Sequence, residues 1–185
     1  MKLIDKLLRT WRVSIAVKAA PKVVDRVFDI GCDDGYLLDR MSNGSRLLDG
    51  CDPRLNDDCS LNDRKLLRGY FPSVLDNNEH RGPYDAIFAL AVFEHFTELD
   101  LIKSSKKISE MLSDNGRLIV TIPHPFVDKI LDVLMFMKMI DGQAVDEHHG
   151  FDPKSLVDIF SNDLRLTSKT TFQLGLNNLY VFEKI

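Results

Sequence analysis

The sequence predicts an α/β fold built on a mainly parallel sheet. Apolar β-like runs alternate with helix-periodic stretches along most of the chain, the pattern of strands joined by crossover helices. The run at 84–90 is apolar almost throughout, as suits a strand covered on both faces. Two β-like runs follow one another at the end, which predicts an antiparallel closing hairpin. Seven strands are expected, with helices on both faces of the sheet. A length of 185 residues suits one domain, 1–185, since domains typically hold about 100–200 residues.

The elements follow in order. Residues 2–19 predict an amphipathic helix, with Leu3, Leu7, Leu8, Trp11 and Ile15 at helical spacing and Pro21 ending it. Val27, Phe28 and Ile30 form a first strand, interrupted only by Asp29. A turn from Gly31 to Gly35 leads into a short helix, 36–41, and Asn43-Gly44 marks the next turn. A second strand, 46–51, ends in Asp52-Pro53. The polar stretch 54–64 predicts a weak helix and 65–68 a short third strand; a turn falls at 73–76. The fourth strand is 84–90. Thr97 is placed to cap a helix over 98–112, which Asn115-Gly116 terminates. A fifth strand, 117–122, stops at Pro123. Residues 125–140 predict a strongly apolar helix, and 141–152 a loop holding Glu147, His148 and His149. Pro153 opens a helix to about residue 160, and the runs 165–172 and 179–183 close the chain.

Composition narrows the function. At 44% hydrophobic and 28% charged the chain reads as globular. A net charge of −4 argues against a nucleic-acid binder, which shows a basic footprint. Residues 1–22 nevertheless carry +5, from Lys2, Lys6, Arg9, Arg12, Lys18 and Lys22 against Asp5, while the rest carries −9. The first 19 residues therefore suggest an edge helix, a cover over a ligand site, or a peripheral contact with an anionic membrane. Cys32, Cys51 and Cys59 form no CxxC pair and fit reduced thiols in a cytoplasmic protein. Neither an apolar run of transmembrane length nor a signal-peptide pattern is expected here. Glu147, His148 and His149 are too few for a metal site, because adjacent side chains diverge.

Function is signalled where strands end. A strand feeding a glycine turn that opens a helix receives a nucleotide-like ligand at its carboxyl end. Asp52 lies 21 residues beyond Gly31, where a carboxylate can accept from ribose hydroxyls. The fourth strand delivers Leu90, Ala91, Val92, Phe93, Glu94 and His95 to the same end of the sheet.

These segments resemble the successive motifs of class I S-adenosylmethionine-dependent methyltransferases, of the type 11/12 kind. They are Phe28-Asp29-Ile30-Gly31-Cys32-Asp33-Asp34-Gly35-Tyr36, Gly50-Cys51-Asp52-Pro53, Tyr84-Asp85-Ala86-Ile87 through Glu94-His95, and Met111-Leu112 through Asn115-Gly116 to Pro123. Ile140-Asp141-Gly142, Glu147 through Pro153, and Gln173 through Asn178 resemble a bacterial subgroup of that superfamily, which implies no particular substrate. The resemblance implies a Rossmann-like class I methyltransferase fold, with S-adenosylmethionine as cofactor and S-adenosylhomocysteine as product. It implies that Gly31, Cys32, Asp33, Gly35 and Tyr36 form the turn beneath the methionine part, with Asp29 orienting the amino group. Asp52 would hold the ribose, Pro53 and Arg54 would lie beside the adenine, and Leu90, Ala91 and Val92 would touch the cofactor from the fourth strand.

Two positions depart from the family pattern. Asp33 stands at the middle glycine, and Gly69-Tyr70-Phe71 stand where many members carry Asp or Asn. Asp33 keeps open a cofactor-binding protein that does not transfer methyl groups. A nicotinamide oxidoreductase is disfavoured, because its fingerprint needs glycine at 33 and 36. An oxygen acceptor would profit from a general base, for which His95 is the first candidate, followed by His124, His148 and His149. The segment 124–152 is placed to cover the substrate. Its apolar helix suits the core, a homodimer interface, or a pocket for a small-molecule or lipid-linked acceptor.

Overall fold

The structure, a computed structural model, describes residues 3–61, 63–76, 80–124 and 153–185. The expected helix at 125–140 and the loop bearing His148 and His149 lie outside the described residues.

The chain opens with helix α1 (Leu3–Ala19) and continues through strand β1 (Arg26–Ile30), helix α2 (Tyr36–Met41), β2 (Leu47–Cys51), β3 (Cys59–Ser60) and β4 (Arg64–Leu67). Then come β5 (Tyr84–Leu90), α3 (Glu98–Met111), β6 (Leu112–Pro123), α4 (Pro153–Phe160), β7 (Leu164–Phe172) and β8 (Asn177–Lys184). One sheet runs β3-β4-β2-β1-β5-β6-β8-β7. Strands β4, β2, β1, β5 and β6 are mutually parallel, while β7 and β8 form the antiparallel hairpin at one edge. The α/β class and the closing hairpin are as the sequence predicts.

Two local expectations change. Among its described residues the stretch 54–64 holds no helix; Cys59–Ser60 instead pairs antiparallel with β4 and makes an eighth strand where seven were expected. A two-residue polar edge strand has no hydrophobic period by which to announce itself. In addition, α3 stops at Met111 and β6 starts directly at Leu112, five residues earlier than expected. Asn115-Gly116 thus lies inside extended chain. Gly116 is needed there because a Cβ would stand 2.7 Å from the Tyr84 carbonyl oxygen.

Period-2 alternation divides the sheet between two cores. Ile87 and Ala89, Val120 and Ile122, and Tyr180 and Phe182 pack beneath α3 and α4, against Leu101, Ile108, Leu156 and Phe160. Phe88, Ile119, Leu179 and Val181 face α1 and α2, against Val13, Ala16, Leu37 and Leu38. Each Val, Leu, Ile or Phe side chain among them contributes about 1.5–3 kcal/mol on full burial. Thr97 caps α3, its hydroxyl accepting from the Asp100 N–H at 3.2 Å. A buried polar knot joins three parts of the chain: Asp49 accepts from the Tyr84 hydroxyl at 2.8 Å, from the Lys65 N–H at 3.0 Å, and from the Arg81 guanidinium.

Helix α1 departs in part from its expected face, although Ile15 packs against the core. Leu7 and Trp11 are exposed, at 61% and 45%, whereas Val13 and Ala16 are buried. The inward face is Arg9, Arg12, Val13 and Ala16, a helical stripe that mixes charge with small apolar groups. Its two arginines turn toward carboxylates at the end of the sheet, as described next, and this sets the rotation of the helix.

Candidate cofactor and acceptor site

The carboxyl ends of β1, β2, β5 and β6 form one mouth, and the turn after β1 is its floor. Gly31 lies at φ +76°, in the left-handed region that glycine enters without strain. Its N–H and that of Cys32 both donate to the Cys51 carbonyl, at 2.8 and 3.1 Å, tying the turn to the end of β2. Gly35 donates to the Cys32 carbonyl at 2.8 Å and closes the turn. Asp33 adopts φ 46°, which Asp tolerates better than most residues, and its side chain is exposed. The departure from glycine at this position is thus absorbed by the backbone of the turn.

Asp52 organises the turn from below. Its Oδ2 accepts from the Asp33 N–H at 2.9 Å and its Oδ1 from the Arg54 N–H at 2.8 Å, with the Arg54 Nε 3.7 Å away. An ionised carboxylate has about four lone-pair sites. Two backbone bonds therefore leave acceptor capacity on a carboxylate already fixed in direction. Pro53 is half-buried beside it and the Arg54 side chain is exposed. Asp29 is buried, and burial pushes its carboxyl well above the ordinary range; the Asp52 charge adds to this and Arg9 opposes it. Burial likewise raises the thiols of Cys32 and Cys51, which are both free.

The end of β5 comes down onto the turn. Ala91 turns at φ 59° and its N–H donates to the Thr121 carbonyl at 2.9 Å. This brings Val92 against Gly31, so that a Cβ on Gly31 would lie 2.4 Å from Val92 Cγ2. The first and fourth predicted strands thus meet at these residues, with half-buried Leu90 and Ala91 beside them. At the following 3-10 turn, Phe93–His95, the buried titratable side chain is Glu94, whereas His95 is exposed. Burial pushes the Glu94 carboxyl up to about 7, partly offset by a hydrogen bond from its own N–H and by the charge of Arg12. His124 follows β6 and donates its N–H to the Leu176 carbonyl at 2.8 Å.

Helix α1 roofs the mouth. Arg9 pairs bidentately with Asp34 of the turn and lies 4.7 Å from the centre of the Tyr36 ring, whose hydroxyl is 3.2 Å from the Thr10 hydroxyl. Gln173, in the β7–β8 turn, donates to the Leu8 carbonyl at 2.8 Å and accepts from Asn177 at 2.5 Å. Tyr36, expected beside a ligand, is thus also a docking point for α1. In the sequence Arg9 and Arg12 signal only charge, and Glu94 and Thr121 carry no role of their own; their helix and strand positions alone gather them. Among the described residues no cluster of His, Cys, Asp and Glu is placed to hold a metal ion, and no helix is long and apolar enough to cross a membrane.

A nucleoside-bearing ligand suits this mouth. The carboxyl groups of Asp29, Asp33, Asp52 and Glu94 lie at it, Asp34 is paired with Arg9, and Asp52 retains lone pairs at the end of β2. Solved structures share the architecture. The N-methyltransferase NodS from Bradyrhizobium japonicum WM9 superposes with a TM-score of 0.64 at 11% identity, over 98% of this chain and 99% of that one. NodS in complex with S-adenosyl-l-homocysteine gives 0.63 at 11% identity, over 95% and 86%. An S-adenosylmethionine-dependent methyltransferase from Mesorhizobium loti gives 0.67 at 12%, over 92% and 96%. No curated protein matches the sequence significantly. The family model described as a methyltransferase domain matches residues 2–162, from α1 to just past α4. With this match and the shared fold, the chain belongs to the methyltransferase-domain family of class I S-adenosylmethionine-dependent enzymes.

Proposed function

We propose that this chain transfers the methyl group of S-adenosylmethionine to a small acceptor bound at the carboxyl end of the sheet, leaving S-adenosylhomocysteine. One observation carries this reading. The Asp52 carboxylate is aimed at the Gly31–Gly35 turn by two backbone N–H groups and keeps lone pairs for ribose hydroxyls. Gly31, Cys32, Asp33 and Gly35 form the floor for the methionine part, with Asp29 beneath its ammonium and Tyr36 at the edge. Pro53 and Arg54 flank the adenine, and Leu90, Ala91 and Val92 close the side.

The bound cofactor supplies an activated methyl group on a sulfonium. The chain's own residues then contribute position more than chemistry, because alignment of reacting groups can supply much of the rate. Val92 fixes the end of β5 against the turn, and α1 excludes water from above. Glu94 is the buried acid–base group beside the mouth, which favours it over His95 for handling an acceptor proton. His124, His148 and His149 remain secondary candidates for that role.

The exposed Asp33 side chain and the intact turn favour a working transferase over an inactive binder. The engagement of Arg9 with Asp34 favours α1 as a cover of the site over a membrane-contacting helix. Thermal shift with S-adenosylmethionine, S-adenosylhomocysteine and NAD tests the proposal, since a ligand of the native state raises its apparent stability. Both methionine-derived ligands should stabilise the protein, and Asp52→Ala should abolish the response. Stabilisation by NAD alone, or by none of the three, refutes the reading.

A further inference from the structure

Buried polar side-chain atoms are hydrogen-bonded in nearly every folded protein, so each exception calls for an explanation. Among the described residues the orphans are Arg12 Nε, Glu94 Oε2, Ser104 Oγ, Thr121 Oγ1 and Asn177 Oδ1. Ser104 belongs to α3, on the far side of the sheet. The other four gather at the mouth. Arg12 is on the inward face of α1, Glu94 follows β5, Thr121 is near the end of β6, and Asn177 begins β8.

Strand alternation places Thr121 and Asn177 on the α1 side, since Ile119 and Leu179, two residues along, pack there. The two strands are adjacent, with Thr121 opposite Leu179 and Pro123 opposite Asn177. Gln173 ties Asn177 to the α1 backbone. Arg12 lies near enough for its charge to act on Glu94, yet the two form no ion pair. Thr121 is fully buried, Glu94 is 5% exposed and Asn177 6%. A single orphan would be a local defect. Four around the same roofed end of the sheet describe a polar site.

We propose that these four polar groups beneath α1 mark the methyl-acceptor subsite and that it takes a small amine or polyol, whose amino or hydroxyl group donates to Glu94. The proposal rests on the methyltransferase reading. Ionised Glu94 and the Asn177 carbonyl only accept, the Thr121 hydroxyl does either, and Arg12 Nε only donates. This balance suits a ligand richer in N–H and O–H groups than in carboxylate or phosphate oxygens. A hydrocarbon tail would leave all four groups unpaired, each at a desolvation cost.

Ligand-observed NMR with ethanolamine, glycerol and hexanol, in the presence of S-adenosylhomocysteine, tests the proposal on wild type, Glu94→Gln, Thr121→Val and the exposed-face control Ile102→Ala. Ethanolamine or glycerol should bind and hexanol should not. Glu94→Gln and Thr121→Val should each weaken polar-probe binding about fivefold to tenfold, the loss of one buried hydrogen bond, while Ile102→Ala leaves it unchanged. A larger effect of Glu94→Gln on ethanolamine than on glycerol marks an amine acceptor; the reverse marks a hydroxyl. Preference for hexanol, unchanged polar binding in both variants, or no binding of any probe overturns the subsite. A thermal shift with S-adenosylhomocysteine on the same proteins separates the two readings. If that response persists while polar probes fail, the subsite alone is wrong; polar binding without it overturns the acceptor role.

Discussion

Replacing Gly31 by alanine tests whether the turn is shaped by the end of β5. Two penalties are expected. At φ +76° a side chain meets the left-handed strain of an L-residue, of order 1–2 kcal/mol. The new Cβ would also stand 2.4 Å from Val92 Cγ2, an overlap that a packed site relieves only by moving Val92, at typically about 1–3 kcal/mol. Gly31→Ala should therefore destabilise by about 2–5 kcal/mol, the sum of these two estimates. Val92→Ala removes both Cγ atoms and leaves its Cβ 3.5 Å from the new methyl, an ordinary contact. In that background only the backbone part should remain, so the cycle should show a coupling of about 1–3 kcal/mol. Urea unfolding of the wild type, both single variants and the double variant measures it. If Gly31→Ala costs the same with and without the valine methyls, the steric argument is refuted and Val92 does not hold the turn.

Other expectations follow from buried groups. The Glu94 carboxyl is pushed up to about 7 from an ordinary 4.5, so between these values the folded state keeps a proton that the unfolded chain releases. Its contribution is full below the unfolded pKa, falls as pH rises toward 7, and then levels; the total is about 3 kcal/mol. Glu94→Gln should lack this fall, so its stability relative to wild type should rise between pH 5 and pH 8 in urea titrations; parallel curves would count against the buried carboxylate. Thr121→Val removes an orphan hydroxyl and should stabilise by about 1 kcal/mol, raising Tm by about 2–4 °C in calorimetry. A lower Tm would mean that the hydroxyl has a partner. Asp49→Ala removes the acceptor of the Tyr84 hydroxyl proton and the Asp49 partner of Arg81, with an expected loss of about 3 kcal/mol, which a chemical denaturation midpoint will show. A change under about 1 kcal/mol would mean that the knot is not structural.

Legibility in the sequence tracked how strongly a segment's environment repeats along the chain. The fully covered strand at 84–90 and the helix opened by Pro153 appear with their expected bounds. Gly31 and Asp52 are visible as a spaced pair because each directly follows a strand that is itself easy to see. The failures share a different cause. Cys59–Ser60 pairs at an edge, where polar residues suffice, and α1 presents Arg9 and Arg12 inward because acids from distant segments await them. A period-3.6 reading scores arginine as solvent-facing and therefore turns the helix the wrong way. Thr121 sits in an apolar strand and reads as β-branched packing; only the neighbouring strands reveal that its hydroxyl lacks a partner. Contacts between residues far apart in sequence were thus the illegible part, and the proposed acceptor side of the site consists of little else.

The separation along the chain has a consequence for biosynthesis. Helix α1 is the first of these elements to be translated, yet its dock is not complete until Gln173 has emerged, 165 residues after the Leu8 carbonyl it binds. Until Asp34 and Glu94 have emerged the segment 1–22 carries +5 with its two arginines lacking acidic neighbours, an inviting surface for nascent-chain binders. The parallel strands can assemble around β1 and β5 in the meantime, because their contacts close over shorter stretches of chain. The mouth therefore remains open until the terminal hairpin forms. A ribosome paused before the β7–β8 turn would hold a sheet already able to receive a nucleoside but not yet able to shield it, which makes S-adenosylhomocysteine binding by such stalled chains a direct reporter of the order in which floor and roof are built.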